Sequence, residues 1–139
     1  MKKKTLIFVV MIGVLLAGCQ PKSVTGETVN VTGGAYQNVT PSDLNTLLND
    51  KDFVFVNVHI PFDGNIQDTD LSIPYDQISI PEYMNQLPSD ANAKIVLYCR
   101  SGRMSEIAAT ELVSLGYTKI WNLDGGMVAW EQAGYEIEK

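Results

Sequence analysis

Two short apolar runs constrain the fold more than any other feature of this 139-residue chain. Residues 53–58 and 93–98 are rich in β-branched and aromatic side chains, and few polar residues interrupt them. Strands with apolar residues on both faces are typical of the interior of a parallel sheet. We therefore expect a sheet that helices cover on both sides.

Helix signals alternate with these runs. Thr40 followed by Pro41 and Asp43 is a typical helix start, because threonine can cap the first turn and proline fits its first position. Further helices are predicted over 81–87, 104–115 and 126–132, and further strands over 36–39 and 119–123, with 60–80 mostly loop. This alternation predicts an α/β fold with a central, mostly parallel sheet and helices on both faces. Ligands of such sheets bind beyond the carboxyl ends of the strands.

The N-terminus has the pattern of a targeting segment. Lys2, Lys3 and Lys4 precede an apolar run over 6–18, which is shorter than the roughly 20 residues of a membrane-spanning helix and typical of a signal peptide. The run ends in Leu-Ala-Gly-Cys at 16–19, which resembles the lipobox of bacterial lipoproteins. This resemblance implies a signal peptide over 1–18, lipid attachment to Cys19 and an extracytoplasmic, lipid-anchored protein at the bacterial membrane. An ordinary signal peptide and an uncleaved anchor are the alternatives.

The predicted organisation is a lipidated N-terminus and tether over 19–35 and one domain over 36–139. Glycines and polar residues dominate the tether region, although residues 27–31 could also form a short edge strand. The formal net charge is −6, and three of the ten basic residues lie at the N-terminus, so an acidic domain surface is expected. That charge disfavours nucleic acid as a partner. Two cysteines and one histidine favour neither a disulfide scaffold nor a metal site.

The loop after the second apolar run carries the chemistry. Cys99 lies at the end of a predicted strand and just before a predicted helix, and Arg100 and Arg103 are the chain's only arginines. Guanidinium groups and the positive end of a helix favour the thiolate over the thiol. Gly102 allows successive backbone N–H groups to point at one spot. The loop therefore predicts a nucleophilic cysteine with an anionic covalent intermediate, while a buried, inert structural cysteine is the alternative.

The motif Tyr-Cys-Arg-Ser-Gly-Arg-Met-Ser over 98–105, followed by Leu-Asp-Gly-Gly over 123–126 and Trp130, resembles the single-domain rhodanese (sulfurtransferase) family over residues 36–135. The resemblance implies that Cys99 accepts a sulfane sulfur from a small anion such as thiosulfate and holds it as a persulfide. A thiol or cyanide-like acceptor then takes the sulfur. The resemblance further implies that the backbone amides of the loop bind the substrate; these are the amides of Arg100, Ser101, Gly102, Arg103, Met104 and Ser105. Arg100 and Arg103 would help to bind an anionic donor. We expect a monomer with no cofactor and no metal.

Two departures from the family pattern concern the segment after the first apolar run. Asn57-Val58-His59 stands where the family usually has Asp-Val-Arg, and the usual Gly-His-Ile-Pro-Gly-Ala stretch is replaced around 64–68. His59 either faces the site as an accessory group with a pH-dependent charge or is an exposed loop residue. Cysteine phosphatases place an arginine six residues after the nucleophile, where this chain has Ser105, so phosphatase and arsenate reductase activity are disfavoured.

Other functions remain open alongside sulfur transfer. The departures around 57–68 are compatible with a non-catalytic rhodanese-like binding module at the cell envelope. A redox role with mixed disulfides at Cys99 ranks below both, because the domain offers no second cysteine to resolve them. The enzymatic interpretation requires a sulfur atom that reactants can reach, with main-chain amides converging on it.

Overall fold

The computed structural model describes residues 23–139, so the signal peptide, the lipobox and Cys19 lie outside the described residues. Within that range no helix has the length and apolar character needed to cross a membrane. The strands are β1 (Glu27–Val31), β2 (Gly34–Val39), β3 (Val54–Asn57), β4 (Leu71–Ser72), β5 (Ile95–Tyr98) and β6 (Ile120–Leu123). The helices are α1 (Pro41–Leu48), α2 (Pro81–Met84), α3 (Arg103–Ser114) and α4 (Gly126–Gln132).

One six-stranded sheet has the order β1-β2-β6-β5-β3-β4. The pair β1–β2 is antiparallel, and every other neighbouring pair is parallel. The predicted mostly parallel sheet is therefore confirmed. Because β5 lies between β3 and β6, the residue that follows Tyr98 leaves the sheet near its centre, at the carboxyl edge where parallel α/β sheets bind ligands.

Helices cover both faces of the sheet, as predicted. Successive side chains of a strand point to opposite faces, and all four residues of β5 are buried. Ile95 and Leu97 belong to the core cluster that contains the buried residues of α3, whereas Val96 and Tyr98 belong to the cluster beneath α1 and α4. The near-continuous apolar character of 93–98 thus arises because β5 serves two cores.

The predicted start of α1 is confirmed in detail. The Thr40 side chain accepts a hydrogen bond from the Asp43 backbone N–H at 3.2 Å. The Asp43 carboxylate in turn accepts one from the Thr40 backbone N–H at 3.3 Å. Together these contacts form a reciprocal capping box, which satisfies backbone donors that the helix itself leaves free.

Two segments that were predicted as tether and loop contain strands. Strand β1 occupies 27–31, so the tether assignment over 19–35 is wrong there and the edge-strand alternative is confirmed. The strand forms because it pairs antiparallel with β2 and packs its two valines against the core. The short strand β4 falls within the predicted loop over 60–80 and adds a parallel edge to β3.

Candidate functional site

The predicted nucleophile lies between the centre of the sheet and a helix start. Cys99 directly follows β5, and α3 begins four residues later at Arg103. The connection closes through Gly102, which has a φ of +106°. A side chain at this position would meet no atom nearer than 3.5 Å, so the backbone conformation and not lack of space makes glycine suitable.

Two groups of the loop contact the sulfur. The Gly102 backbone N–H donates a hydrogen bond to Cys99 Sγ at 3.0 Å. The Ser105 hydroxyl lies 3.4 Å from the same sulfur and 2.9 Å from the Gly102 carbonyl oxygen, so its single proton can serve either acceptor. Hydrogen bonds to a thiolate are stronger than hydrogen bonds to a neutral thiol. Both groups are therefore in position to donate to a negative charge on Cys99 Sγ.

The start of α3 adds further donors next to these contacts. Glu106 is the first residue of the helix whose N–H bonds back within the turn, to the Gly102 carbonyl at 3.0 Å. The amides of Arg103, Met104 and Ser105 precede it and have no intrahelical acceptor. Amides of this kind suit an anion. Their role as a cradle for a persulfide stays a prediction.

The sulfur itself is almost closed off from solvent. Cys99 is 1% exposed and belongs to the core cluster on the α3 face of the sheet. The expectation of an open sulfur is therefore not met in this conformation. The enzymatic interpretation therefore requires the loop to move so that a reactant can reach the sulfur.

The two arginines lie outside this buried centre. Arg100 is about half exposed and forms an ion pair with Asp63, in the loop after β3. The Arg103 guanidinium lies 5.9 Å from the centroid of the Tyr75 ring, which is within the range of a cation–π contact. Of the remaining loop residues, Ser101 is exposed and Met104 is partly buried against the core. The assignment of both arginines to donor binding stays a prediction.

The start of helix α4 contacts the loop that follows β5. The Met127 and Val128 backbone N–H groups donate to the carbonyl oxygens of Cys99 and Arg100, each at 2.9 Å. A trans peptide directs its N–H opposite to its C=O, so the amides of Arg100 and Ser101 point away from α4. Sequence reasoning did not find this contact between two segments distant along the chain.

Gly126 allows that close approach. A Cβ atom at Gly126 would lie 2.3 Å from the Cys99 carbonyl oxygen and 2.7 Å from the Arg100 carbonyl, far inside any real contact. In the structure both Gly125 and Gly126 have a positive φ. In the sequence, these consecutive glycines were the one signal that another segment of backbone passes close to α4.

The two departures from the family pattern meet beside the loop. Asn57 is buried, and its side-chain amide donates to the Gly64 carbonyl and to the Asn65 side chain, each at 2.9 Å. Its side-chain oxygen accepts the His59 backbone N–H at 3.0 Å. Asn57 therefore fastens the end of β3 to the segment that follows it.

His59 is half-buried, and its Nδ1 is buried without a hydrogen-bond partner among the described residues. Burial, and then the positive charge of Arg100, lower the pKa of the imidazole below its ordinary value. The neutral form of His59 is therefore favoured, and the alternative of an exposed loop histidine is wrong. The accessory role of a pH-dependent charge at the site stays a prediction.

Comparisons with known proteins agree with this fold. The model of the rhodanese-like domain matches residues 40–133. A tRNA uridine(34) hydroxylase of Salmonella heidelberg is 29% identical over 99 residues, which are 68% of this chain but only 28% of that protein. The crystal structure of a rhodanese-related protein from Thermoplasma volcanium has a TM-score of 0.60 at 27% identity, covering 73% of this chain and 97% of the other. A rhodanese-like domain protein from Staphylococcus aureus has a TM-score of 0.59 at 28% identity, covering 73% and 98%.

Proposed function

The chain belongs to the rhodanese-like domain family, and from this premise we propose that it is a sulfurtransferase that carries sulfane sulfur on Cys99. The observation that carries the proposal is the hydrogen bond of 3.0 Å from the Gly102 N–H to Cys99 Sγ, at the start of α3. A donor fixed at that position stabilises a sulfur anion before any substrate arrives. The hydroxylase activity in the name of the Salmonella protein is that of a longer protein, and this chain matches only 28% of it.

The chemistry consists of two displacements at sulfur. The Cys99 thiolate attacks the outer sulfur of a donor such as thiosulfate, a new S–S bond forms, the S–S bond of the donor breaks, and sulfite leaves with the electron pair. An acceptor thiolate or cyanide then attacks the outer sulfur of the persulfide. The acceptor keeps that sulfur, and Cys99 leaves again as the thiolate. Neither step needs an outside oxidant, a reductant or a proton shuttle.

The residues around Cys99 support both steps. The Gly102 amide and the Ser105 hydroxyl stabilise the negative charge on the nucleophile and on the leaving thiolate. Helix α4 fixes the carbonyls of Cys99 and Arg100, so these loop peptides are oriented before the reaction. The burial of Cys99 keeps water away from the sulfur, which would protect a persulfide from side reactions.

Intact-mass analysis of the full chain after exposure to thiosulfate tests the proposal. We expect the gain of one sulfur atom, removal of that atom by cyanide, and no gain in Cys99→Ser. The matched control is Cys19→Ser, which removes the other cysteine of the chain and should still gain the sulfur. Failure of the wild-type chain to take sulfur from thiosulfate and from an alkyl persulfide would exclude the activity.

A second candidate function is a non-catalytic binding module. The observation that favours it is the 1% exposure of Cys99. This alternative expects Cys99→Ser to retain the cellular function and the alkylation of Cys99 to be no faster than that of Cys99 in the urea-unfolded chain. Fast alkylation by a slender reagent such as iodoacetamide would instead support the enzyme.

The location of the protein is proposed from the sequence alone. We infer that Cys19 carries a lipid and holds the domain at the outer side of a bacterial membrane. The N-terminal peptide of the full chain expressed in bacteria should then carry the added mass of a lipid on Cys19, and that of Cys19→Ala should carry none. Absence of the lipid mass from Cys19 would contradict lipidation.

A further inference from the structure

The ion pair between Arg100 and Asp63 joins the loop of the nucleophile to the loop that follows β3. Arg100 directly follows Cys99, so Asp63 places a negative charge against the loop that carries the sulfur. The side chains are 52% and 36% exposed, respectively, and water therefore screens the pair. Exposed pairs of this kind contribute little to stability. The stability of the fold therefore does not explain why this contact is present.

The backbone that carries Asp63 is nevertheless firmly held. The next residue, Gly64, accepts a hydrogen bond from the buried Asn57 side chain at 2.9 Å. Asn65 and Glu138 exchange two backbone hydrogen bonds, at 2.8 and 2.7 Å. Gly64 packs so closely that a Cβ atom would lie 2.7 Å from the Glu138 carbonyl oxygen. The carboxylate is thus presented to Arg100 by an anchored segment.

The positive charges of the two loop arginines are compensated to different extents. Within residues 23–139, Arg103 forms no ion pair and lies over the ring of Tyr75. Arg100, in contrast, faces a full negative charge. Lys139 approaches the second oxygen of Asp63 only to 3.8 Å and is 71% exposed, so it offsets that charge weakly. A dianionic donor that approaches Arg100 therefore meets a guanidinium that is already compensated and a carboxylate of like charge.

We propose that Asp63 is a specificity-determining residue, which disfavours dianionic donors such as thiosulfate and favours organic persulfides of lower charge. The inference rests on the proposed transfer through Cys99. With an alkyl persulfide, the Cys99 thiolate attacks the terminal sulfur, the new S–S bond forms, and the S–S bond of the donor breaks. The alkyl thiolate leaves with the electron pair, and the proton of the donor stays on the transferred sulfur.

The first test compares the wild-type chain with Asp63→Asn, using thiosulfate and ethyl persulfide as donors. The substitution should raise kcat/KM for thiosulfate about three- to tenfold, through a lower KM, because a charge at an exposed site that water screens has an effect of this order. The value for ethyl persulfide should change less than twofold. The matched control is Asp52→Asn, which removes an equal charge from the exposed pair with Lys94 and should change neither value.

The second test separates this inference from the proposed function. In the Cys99→Ser background, calorimetric titration with thiosulfate reports binding without transfer, and Asp63→Asn should bind about three- to tenfold more tightly. Unchanged affinity or an unchanged donor preference would overturn the role of Asp63. Loss of transfer from both donors, with the affinity increase intact, would overturn the sulfurtransferase proposal and leave the charge effect of Asp63 standing.

Discussion

The Gly102 backbone N–H lies 3.0 Å from Cys99 Sγ and donates a hydrogen bond to it. The glycine reaches this position with a φ of +106°, a conformation that side-chain-bearing residues rarely adopt. The chemical state of the sulfur and the backbone conformation of the loop are therefore coupled. Substitutions that move this one amide should change the reactivity of Cys99 beyond any change in stability.

Gly102→Ala tests that coupling. The free energy of unfolding should fall by about 1–2 kcal/mol because the left-handed backbone is strained with a side chain present. The control is Gly116→Ala, which has a similar φ of +98° with open space around it and should lose comparable stability. Iodoacetamide alkylation of Cys99 at pH 7 should slow only in Gly102→Ala. Equal alkylation rates in the two variants would contradict the coupling.

Ser105→Ala tests the second donor. The hydroxyl is fully buried, 3.4 Å from Cys99 Sγ, and a hydrogen bond of this kind contributes about 1 kcal/mol. Alkylation of Cys99 at pH 7 should therefore slow roughly three- to tenfold. Ser114→Ala removes an exposed hydroxyl that bonds only the Glu111 carbonyl in the same helix, and its alkylation rate should match the wild type. A wild-type rate in Ser105→Ala would show that its proton serves only the Gly102 carbonyl.

Gly126→Ala tests the support that α4 gives to the loop. The added methyl group would lie 2.3 Å from the Cys99 carbonyl oxygen, and backbone atoms cannot yield as a flexible side chain does. We expect chemical denaturation to show a loss of about 3 kcal/mol or more. Gly134→Ala has a φ of +92° and no neighbour within 4 Å, so it should lose only about 1 kcal/mol. Similar losses in both variants would show that the close packing is unimportant.

Much of the fold was predictable because local patterns decide it. The capping residues Thr40 and Asp43 placed α1, and the apolar run over 93–98 placed β5, since each signal lies within a few residues. Strand β4 was missed because its two residues pair with β3 through the backbone and carry no pattern of their own. Strand β1 was ambiguous because an edge strand is exposed and its polar composition resembles that of a linker.

The site was predictable only in part. The strand–cysteine–glycine–helix order placed Cys99 between β5 and the start of α3, as the structure shows, and its role as nucleophile stays a prediction. The ion pair of Arg100 with Asp63 and the amides of Met127 and Val128 join segments far apart in the chain, so no local spacing indicates them. Cys99 is buried in the core cluster on the α3 face, whose members also come from segments far apart in the chain.

His59 predicts a pH dependence of stability with a definite sign. Burial, assisted by Arg100, lowers its pKa in the folded chain below the ordinary 6.5. The unfolded chain therefore binds the proton more readily, and the free energy of unfolding should be constant above about pH 6.5 and fall below it until the lowered folded pKa is passed. The buried Nδ1, which has no acceptor among the described residues, explains the direction, because a proton added there would be unpaired.

His59→Gln isolates this contribution, because His59 is the only histidine in the chain and glutamine does not titrate. Urea denaturation between pH 7.5 and 5.5 should show a smaller loss of stability in the variant than in the wild type. All other ionisable groups are identical in the two proteins, so their contributions cancel in the difference. Parallel pH profiles for the two proteins would mean that the His59 imidazole is as easily protonated in the folded chain as in the unfolded chain. The fold would then not favour the neutral form of His59.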